Sequence, residues 1–238
     1  MIYWLMKYII VGPILLLVYR PKIIGKENLP KEGGVILASN HLSFVDSIFL
    51  PLVLPRSVSF LAKSEYFTGK GIKGFFTRLF MKATGQLPMD RSGGQASADS
   101  LNTGLEVLAA GRQLGIYPEG TRSPDGKLYR GRTGVARMIL ESNVPVVPVA
   151  MIDTELIMPI GAKLPKIKRV GITFGEPIEF SRFQGLEGDR FVLRSITDEI
   201  IYSIMEISGQ EYEDIYASSI RQKMDAEKAR RKVSANAR

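Results

Sequence analysis

Apolar runs and helical periods alternate along the chain and predict its fold class. Short apolar runs, typical of strands buried in a sheet, are separated by segments with apolar residues at helical spacing. The first predicted strand is short and starts at residue 23. The other predicted strands cover residues 35–39, 57–62, 85–91, 114–117, 144–151 and 168–174. The predicted helices cover residues 44–54, 72–82, 96–110, 131–141 and 188–207. This order predicts an α/β fold with a mixed, largely parallel sheet flanked by helices.

The first segment of the chain is apolar and differs from the rest. Residues 1–18 are almost all apolar, with Lys7 as the only charge, and basic residues follow between positions 20 and 26. A spanning helix needs roughly 20 apolar residues, so this segment is of marginal length. Its aromatic residues and basic flank favour the lipid headgroup region. We therefore predict a membrane anchor helix over residues 1–19, in or near the interface with its basic flank on the cytoplasmic side. A helix buried in the core is the alternative.

The remaining chain shows no internal repeat and no clear linker. We interpret residues 20–208 as one domain and residues 209–238 as a basic C-terminal helix or tail. This tail could lie on anionic lipid or be merely solvated. The helix predicted at 72–82 carries aromatic and basic residues, which suits either packing on the sheet or a membrane-facing surface.

Composition narrows the classes of partner and site. The 238 residues carry a formal charge of +8, which indicates an anionic partner such as nucleic acid, an anionic membrane or a phosphorylated substrate. The chain has no cysteine and one histidine, which argues against disulfides, thiolate zinc sites and histidine-based metal centres. The absence of cysteine also suits a reducing compartment.

The single histidine lies where a strand gives way to a helix. His41 and Asp46 are five positions apart, across the entry to the helix predicted at 44–54. Residues about one helical turn apart are neighbours, so this spacing predicts contact between the two side chains. Such a pair suits general base catalysis, because Asp46 can orient the imidazole while its other nitrogen removes a proton. A histidine that only caps the helix is the alternative.

A second polar segment follows the strand predicted at 114–117. In the turn 118–123, Gly120 allows close backbone approach and Arg122 offers a forked, permanently charged donor for phosphate. We expect Glu119 to hold Arg122 in position. Arg91 provides another guanidinium near a strand end, so the two arginines could form a phosphate clamp. A solvated surface arginine is the alternative for each.

These segments together resemble a known family. In chain order they are Asn40-His41-x-Ser43-x-x-Asp46, Gly85 to Arg91, Pro118-Glu119-Gly120-Thr121-Arg122-Ser123 and Val144-Pro145-Val146-Val147-Pro148-Val149. The series resembles the four ordered motifs of the glycerolipid acyltransferases, over roughly residues 20–180. Gln86 to Met89 departs from the apolar, aromatic-containing residues usual in the second motif. Tyr117 replaces the commoner phenylalanine.

The resemblance implies an activity and a role for each motif. The chain would move a fatty acyl group from an acyl thioester to the free hydroxyl of a lysophospholipid, as in converting lysophosphatidate to phosphatidate. The implied catalytic residues are His41 as general base and Asp46 as its orienting partner. The implied residues for the acceptor's phosphate are Arg91, Glu119, Gly120, Thr121 and Arg122, with Asn40, Ser43 and Pro148 as support.

The same resemblance implies the partners. Acyl-coenzyme A or acyl carrier protein would be the co-substrate, and no metal or other cofactor is expected. The enzyme would act at the cytoplasmic face of the cell membrane, with no nucleic acid as partner. The motifs leave open the acyl donor and chain length, the acceptor's head group, the oxyanion donors and the oligomeric state.

Other interpretations fit the same residues. The acceptor could be glycerol 3-phosphate, another lysophospholipid or a glycolipid. A non-catalytic lipid-binding protein would keep the arginines and the anchor without needing His41. The pattern Gly69-x-Gly71-x-x-Gly74 matches a dinucleotide-binding fingerprint but does not directly follow a predicted strand.

Overall fold

A computed structural model describes residues 2–83, 85–89, 95–162 and 164–236. The strands are β1 (Lys22–Ile24), β2 (Val35–Ser39), β3 (Val58–Lys63), β4 (Leu87–Met89), β5 (Gln113–Ile116), β6 (Leu128–Tyr129), β7 (Val146–Ile152), β8 (Gly171–Phe174) and β9 (Tyr212–Glu213). The helices are α1 (Ile2–Leu5), α2 (Val11–Tyr19), α3 (Asp46–Val53), α4 (Glu65–Thr68), α5 (Gly71–Ala83), α6 (Gln95–Ala109), α7 (Gly134–Ser142), α8 (Thr154–Ile157), α9 (Arg190–Ser208) and α10 (Ala217–Asn236). A π-helical segment, Met6–Ile10, joins α1 to α2, and short 3₁₀ helices cover Lys26–Asn28 and Ser181–Phe183.

Seven strands form one mixed sheet in the order β1-β8-β7-β2-β5-β3-β4. The pairs within it are parallel except β7 with β8, which is antiparallel. The predicted mixed, largely parallel sheet flanked by helices is therefore confirmed. A separate two-stranded sheet pairs β6 with β9.

The central strand β2 separates two apolar cores. Its residues are buried on both faces, which explains why Val35–Ser39 is nearly all apolar in sequence instead of alternating. Ile36 and Ala38 face a core formed with α6, α7 and α9. Val35 and Leu37 face the other core, which includes buried residues of α3 and Tyr19 at the end of α2. The domain thus has helix, sheet and helix layers.

The parallel strands bring the polar segments to one edge of the sheet. Ala38 of β2 lies opposite Ile116 of β5 and Pro148 of β7. The residues that follow β2 and β5 therefore emerge side by side, next to the end of β7. In open α/β sheets, this edge is where ligands bind.

Residues 2–19, which we call the N-terminal helix, expose much of their apolar surface. Ile9 is 69% exposed, Ile14 59% and Leu17 70%. Lys7 instead turns inward and donates from its Nζ to the carbonyl of Leu54. Burial lowers the pKa of Lys7 to about 8, and the nearby charge of Lys26 adds to this effect. Within the described residues, no helix is both long enough and apolar enough to cross a membrane.

The structure also differs from the sequence predictions in places. The short strands β6 and β9 were not predicted, and α7 begins three residues after the predicted start at 131. Gly131 lies in the preceding loop against α9, where a Cβ would come 2.8 Å from the Thr197 side chain. In the glycine pattern at 69–74, Gly69 follows α4 and the other two glycines lie in α5. A dinucleotide-binding fingerprint would instead directly follow a strand.

Candidate active site

His41 and Asp46 meet in the turn between β2 and α3. The His41 Nδ1 lies 2.9 Å from the Asp46 Oδ2, as the spacing predicted. The same carboxylate oxygen accepts the main-chain N–H groups of Leu42 and Ser43, each at 2.8 Å. Asp46 is fully buried, so these donors fix its side chain in one position at the start of the helix. The imidazole is thereby oriented by a carboxylate that is itself held by the backbone.

The His41 ring is held from its face as well as its edge. It stacks on the Tyr117 ring with centroids 3.8 Å apart and planes 10° from parallel. The Tyr117 hydroxyl lies 2.8 Å from the Ser47 Oγ, which ties β5 to α3. The His41 side chain keeps 17% of its surface exposed. Nδ1 faces Asp46, so Nε2 is left for a substrate, and no described residue hydrogen-bonds to it.

Asn40 and Ser43 anchor the turn on either side of His41. Asn40 is fully buried, and its amide exchanges two hydrogen bonds with the main chain of Met151 in β7, at 2.7 and 2.9 Å. The Ser43 hydroxyl donates to the carbonyl of Met158 at 2.8 Å. These contacts fix the turn between β2 and α3, and the supporting role of the two residues stays a prediction. Pro148, also predicted to support the site, is buried in β7 beside β2.

Glu119 ties the second polar segment to the first. Its Oε1 accepts the main-chain N–H of His41 at 3.2 Å, and its Oε2 accepts that of Tyr129 at 3.0 Å. Burial raises the pKa of Glu119 to about 8, although these two donors oppose the shift. The expectation that Glu119 holds Arg122 was wrong, because no ion pair within 4.0 Å joins the two residues and the Glu119 oxygens accept main-chain N–H groups. The main-chain N–H of Ser123 also donates to the His41 carbonyl at 2.7 Å.

The turn after β5 carries its polar groups next to the His41 turn. Gly120 has φ +72°, a backbone conformation that favours glycine, and a Cβ there would lie 3.1 Å from the Arg132 side chain. Thr121 accepts a hydrogen bond from Arg221, and Arg122 is half-buried. Arg91, the other predicted phosphate ligand, lies outside the described residues. The predicted two-arginine clamp therefore stays a prediction.

Several neighbours of the site were missed by the sequence analysis. Gln210 accepts from the Asn40 amide at 2.6 Å and donates to the Gly126 carbonyl at 2.6 Å. Arg132 and Arg221 approach the turn from outside the motif. The two Gln210 contacts join residues 170 and 84 positions apart, so local pattern gives no signal for them. Within the described residues, no group of three or more acidic or histidine side chains could hold a metal ion.

Comparison with known proteins places this site in a family. The acyltransferase family model matches residues 20–152, which include the His41–Asp46 turn and the turn after β5. The chain belongs to the acyltransferase family. The resemblance noted from the motifs is thus confirmed.

Named relatives cover the acyltransferase domain to different extents. The 1-acyl-sn-glycerol-3-phosphate acyltransferase of Bacillus subtilis is 31% identical over 191 residues, which is 79% of this chain and 88% of the relative. A chloroplastic 1-acyl-sn-glycerol-3-phosphate acyltransferase of Brassica napus is 34% identical over 146 residues, 61% of this chain. This chain spans only 41% of the length of that plant relative.

A solved structure shares the acyltransferase fold. The crystal structure of the 1-acyl-sn-glycerophosphate acyltransferase of Thermotoga maritima superposes with a TM-score of 0.61 at 26% sequence identity. The match covers 82% of this chain and 76% of that one. The three-layer architecture is therefore shared with an enzyme of this family.

Proposed function

We propose that this acyltransferase converts lysophosphatidate to phosphatidate with a fatty acyl thioester as donor. The observation that carries the proposal is the His41–Asp46 pair, with Nδ1 2.9 Å from the carboxylate and Nε2 left for a substrate. The named relatives from Bacillus subtilis and Brassica napus support lysophosphatidate, which is 1-acyl-sn-glycerol 3-phosphate, as the acceptor.

The proposed reaction begins with proton removal. The Nε2 of His41 takes the proton of the acceptor's free hydroxyl, and Asp46 stabilises the imidazolium that forms. The acceptor oxygen attacks the thioester carbonyl and forms a C–O bond and a tetrahedral intermediate. Collapse of the intermediate breaks the C–S bond, and His41 returns its proton to the leaving thiolate. Because the base activates the acceptor directly, the chain needs no acyl-enzyme and no nucleophilic cysteine.

The proposed acceptor phosphate binds at the turn 119–122. Arg122 supplies a charged donor there, and Gly120 lets the phosphate approach the backbone closely. Glu119 does not compete with the phosphate for Arg122, since its oxygens are engaged with the main chain. Arg91, which lies outside the described residues, is retained as a second proposed ligand.

The proposed site of action is a membrane surface. The exposed apolar residues of the N-terminal helix, such as Ile9 and Leu17, suit burial at the boundary of headgroups and acyl chains. The exposed loop 164–169 offers a second contact, since it combines apolar and basic residues. In that loop Leu164 is 80% and Ile167 71% exposed. Its last residue, Arg169, donates to the carbonyl of Arg20, so the loop ends beside the end of the N-terminal helix.

An acceptor and donor panel tests this function. Purified protein in lipid vesicles is given acyl-coenzyme A or acyl carrier protein with lysophosphatidate, glycerol 3-phosphate, lysophosphatidylcholine or monoacylglycerol, and products are identified by mass. We expect phosphatidate from lysophosphatidate at a rate at least tenfold above the other products. Preferential acylation of another acceptor would overturn the proposed substrate. Absence of any acylated product would favour a lipid-binding protein instead of an enzyme.

A further inference from the structure

The C-terminal segment, defined here as residues 209–221, lies against the turn that follows β5. It lies outside the part of the chain that matches the acyltransferase family model, residues 20–152. Leu128 donates its main-chain N–H to Glu211 at 2.9 Å, and Arg130 donates its main-chain N–H to Ile215 at 3.0 Å. The segment is thus joined to the site by backbone hydrogen bonds.

Side-chain contacts also hold the C-terminal segment against the residues near the site. Lys127 pairs with Glu211 at 2.7 Å and with Glu213 at 2.8 Å. Gln210 bridges the Asn40 amide and the Gly126 carbonyl. Each exposed ion pair contributes little alone, but the backbone bonds and Gln210 fix the segment's register against the site. The first turn of α10 therefore has a defined position.

That position brings Arg221 to the turn. The Arg221 Nη1 lies 3.4 Å from the Thr121 Oγ1, one residue before Arg122. Arg132 lies against Gly120, with its Nη2 3.2 Å from the Ser218 Oγ of the same segment. The side chains of Arg132 and Arg221 thus lie against two consecutive residues of the turn, and Arg122 is the next residue in the chain.

These charges are not neutralised within the described chain. None of the described carboxylates lies within 4.0 Å of the guanidinium nitrogens of Arg122, Arg132 or Arg221. Arg130 differs, since Asp214 lies 3.6 Å from it. Like charges held close repel one another, so such a cluster is stabilised by a bound anion. A phosphomonoester carries nearly two negative charges at neutral pH and three acceptor oxygens.

We propose that Arg221, carried by the C-terminal segment, binds the acceptor's phosphate together with the turn at 120–122. This inference rests on the proposed function and deepens it, because it makes the acceptor site depend on a residue outside the family-matched region. It assigns to Arg221 a share in selecting a phosphomonoester over an uncharged acceptor of the same chain length.

Three substitutions at Arg221 separate the effect of its charge from the effect of its hydrogen bond to Thr121. We expect Arg221→Ala to raise the KM for lysophosphatidate about tenfold and to change kcat less than twofold, since a partly buried, charge-assisted hydrogen bond is lost. Arg221→Lys restores part of the affinity through its point charge. Arg221→Gln keeps a donor for Thr121 without charge and should resemble Arg221→Ala. A Gln variant equal to wild type would instead show that Arg221 only holds the Thr121 hydroxyl.

A matched control removes the same charge from the same helix. Lys223 is exposed two residues along α10, so Lys223→Ala alters the net charge and the attraction to anionic lipid equally. We expect its KM for lysophosphatidate to stay within twofold of wild type. Equal KM values for Arg221→Ala and Lys223→Ala would overturn the assignment. Thermal unfolding of each variant checks that the segment still docks.

Turnover by the wild-type protein distinguishes a failure of the proposed function from a failure of the role proposed for Arg221. If wild type forms phosphatidate and Arg221→Ala keeps its KM, the proposed function stands and the role of Arg221 is refuted. If wild type acylates only monoacylglycerol, both fail together. The preference for lysophosphatidate over monoacylglycerol, as a ratio of kcat/KM, should fall about tenfold in Arg221→Ala and stay unchanged in Lys223→Ala.

Discussion

Two regions depart from a typical globular surface in opposite ways: the N-terminal helix, and the turn that contains His41. Between β2 and α3, polar groups are buried and almost fully partnered, with Asn40, Ser43 and Asp46 held by main-chain groups. In the N-terminal helix, apolar side chains are exposed and the one charge, Lys7, turns inward. Each arrangement costs folding free energy unless something else stabilises it.

The difference shows where each region's stabilisation comes from. The turn is stabilised from within, by hydrogen bonds that also aim the imidazole at an open position. The N-terminal helix lacks cover for its exposed face among the described residues, and we propose that lipid supplies it. The molecule therefore combines a preorganised site with a surface suited to the membrane that would hold its acceptor.

Apart from loss of the imidazole itself, the largest effect on the turn is expected from Asp46→Asn. The amide can keep the hydrogen bonds through its oxygen but lacks the charge that stabilises an imidazolium. We expect kcat to fall by about 10²- to 10³-fold while the free energy of unfolding changes by less than about 2 kcal/mol. Steady-state kinetics and denaturant unfolding check the two parts. A kcat within threefold of wild type would mean that the Asp46 charge is not used.

The next effect concerns the exposed face of the N-terminal helix. The triple variant Ile9→Ser, Ile14→Ser and Leu17→Ser should weaken binding to anionic vesicles about a hundredfold, because apolar area inserted in the interface is lost. Sedimentation with vesicles measures this binding. The control is Phe191→Ser, since Phe191 is 85% exposed on α9 and lies outside the N-terminal helix. Equal vesicle binding by wild type and the triple variant would contradict the anchoring role.

A smaller effect is expected at the turn after β5. Arg122→Ala should raise the KM for lysophosphatidate about tenfold with kcat nearly unchanged, because a ground-state contact with phosphate is removed. The matched control is Arg137→Ala, which removes an exposed guanidinium from α7. A loss confined to kcat would move Arg122 from substrate binding to the chemical step.

A further effect, on stability instead of activity, is a pH dependence from Glu119. Burial raises its pKa from 4.5 to about 8, so the folded state keeps a proton that the unfolded state releases between these values. This stability is fully present below the unfolded pKa and is lost as pH rises through the folded one. We expect wild type to lose up to about 1.4 kcal/mol per pH unit in this window relative to Glu119→Gln. Unfolding at pH 5, 6, 7 and 8 measures it, and parallel curves would contradict the shift.

The fold and the histidine pair were accessible from the sequence because their signals are local. Val35–Ser39 is a buried apolar run, and the His41 and Asp46 contact spans five residues. Few backbone conformations are possible between β2 and α3, since a strand must end and a helix must begin within one short turn. Parallel pairing of β2 with β5 then places the second motif beside the first.

The missed features depend on contacts between distant parts of the chain. Glu119 was assigned to Arg122, its neighbour in sequence, although its oxygens accept from main-chain groups 78 and 10 residues away. Gln210 and Arg221 reach the site only because a segment that looked like a basic tail pairs with β6. Two-residue strands such as β9 have no periodicity to detect.

The most direct test of the central claim is to measure kcat and lysophosphatidate affinity together in His41→Ala. If the imidazole removes the proton of the acceptor hydroxyl, phosphatidate formation should fall at least about 10³-fold, because general base catalysis is lost. The Kd for lysophosphatidate should stay within twofold of wild type, since the phosphate contacts remain. A variant that still forms phosphatidate within tenfold of the wild-type rate would contradict the account.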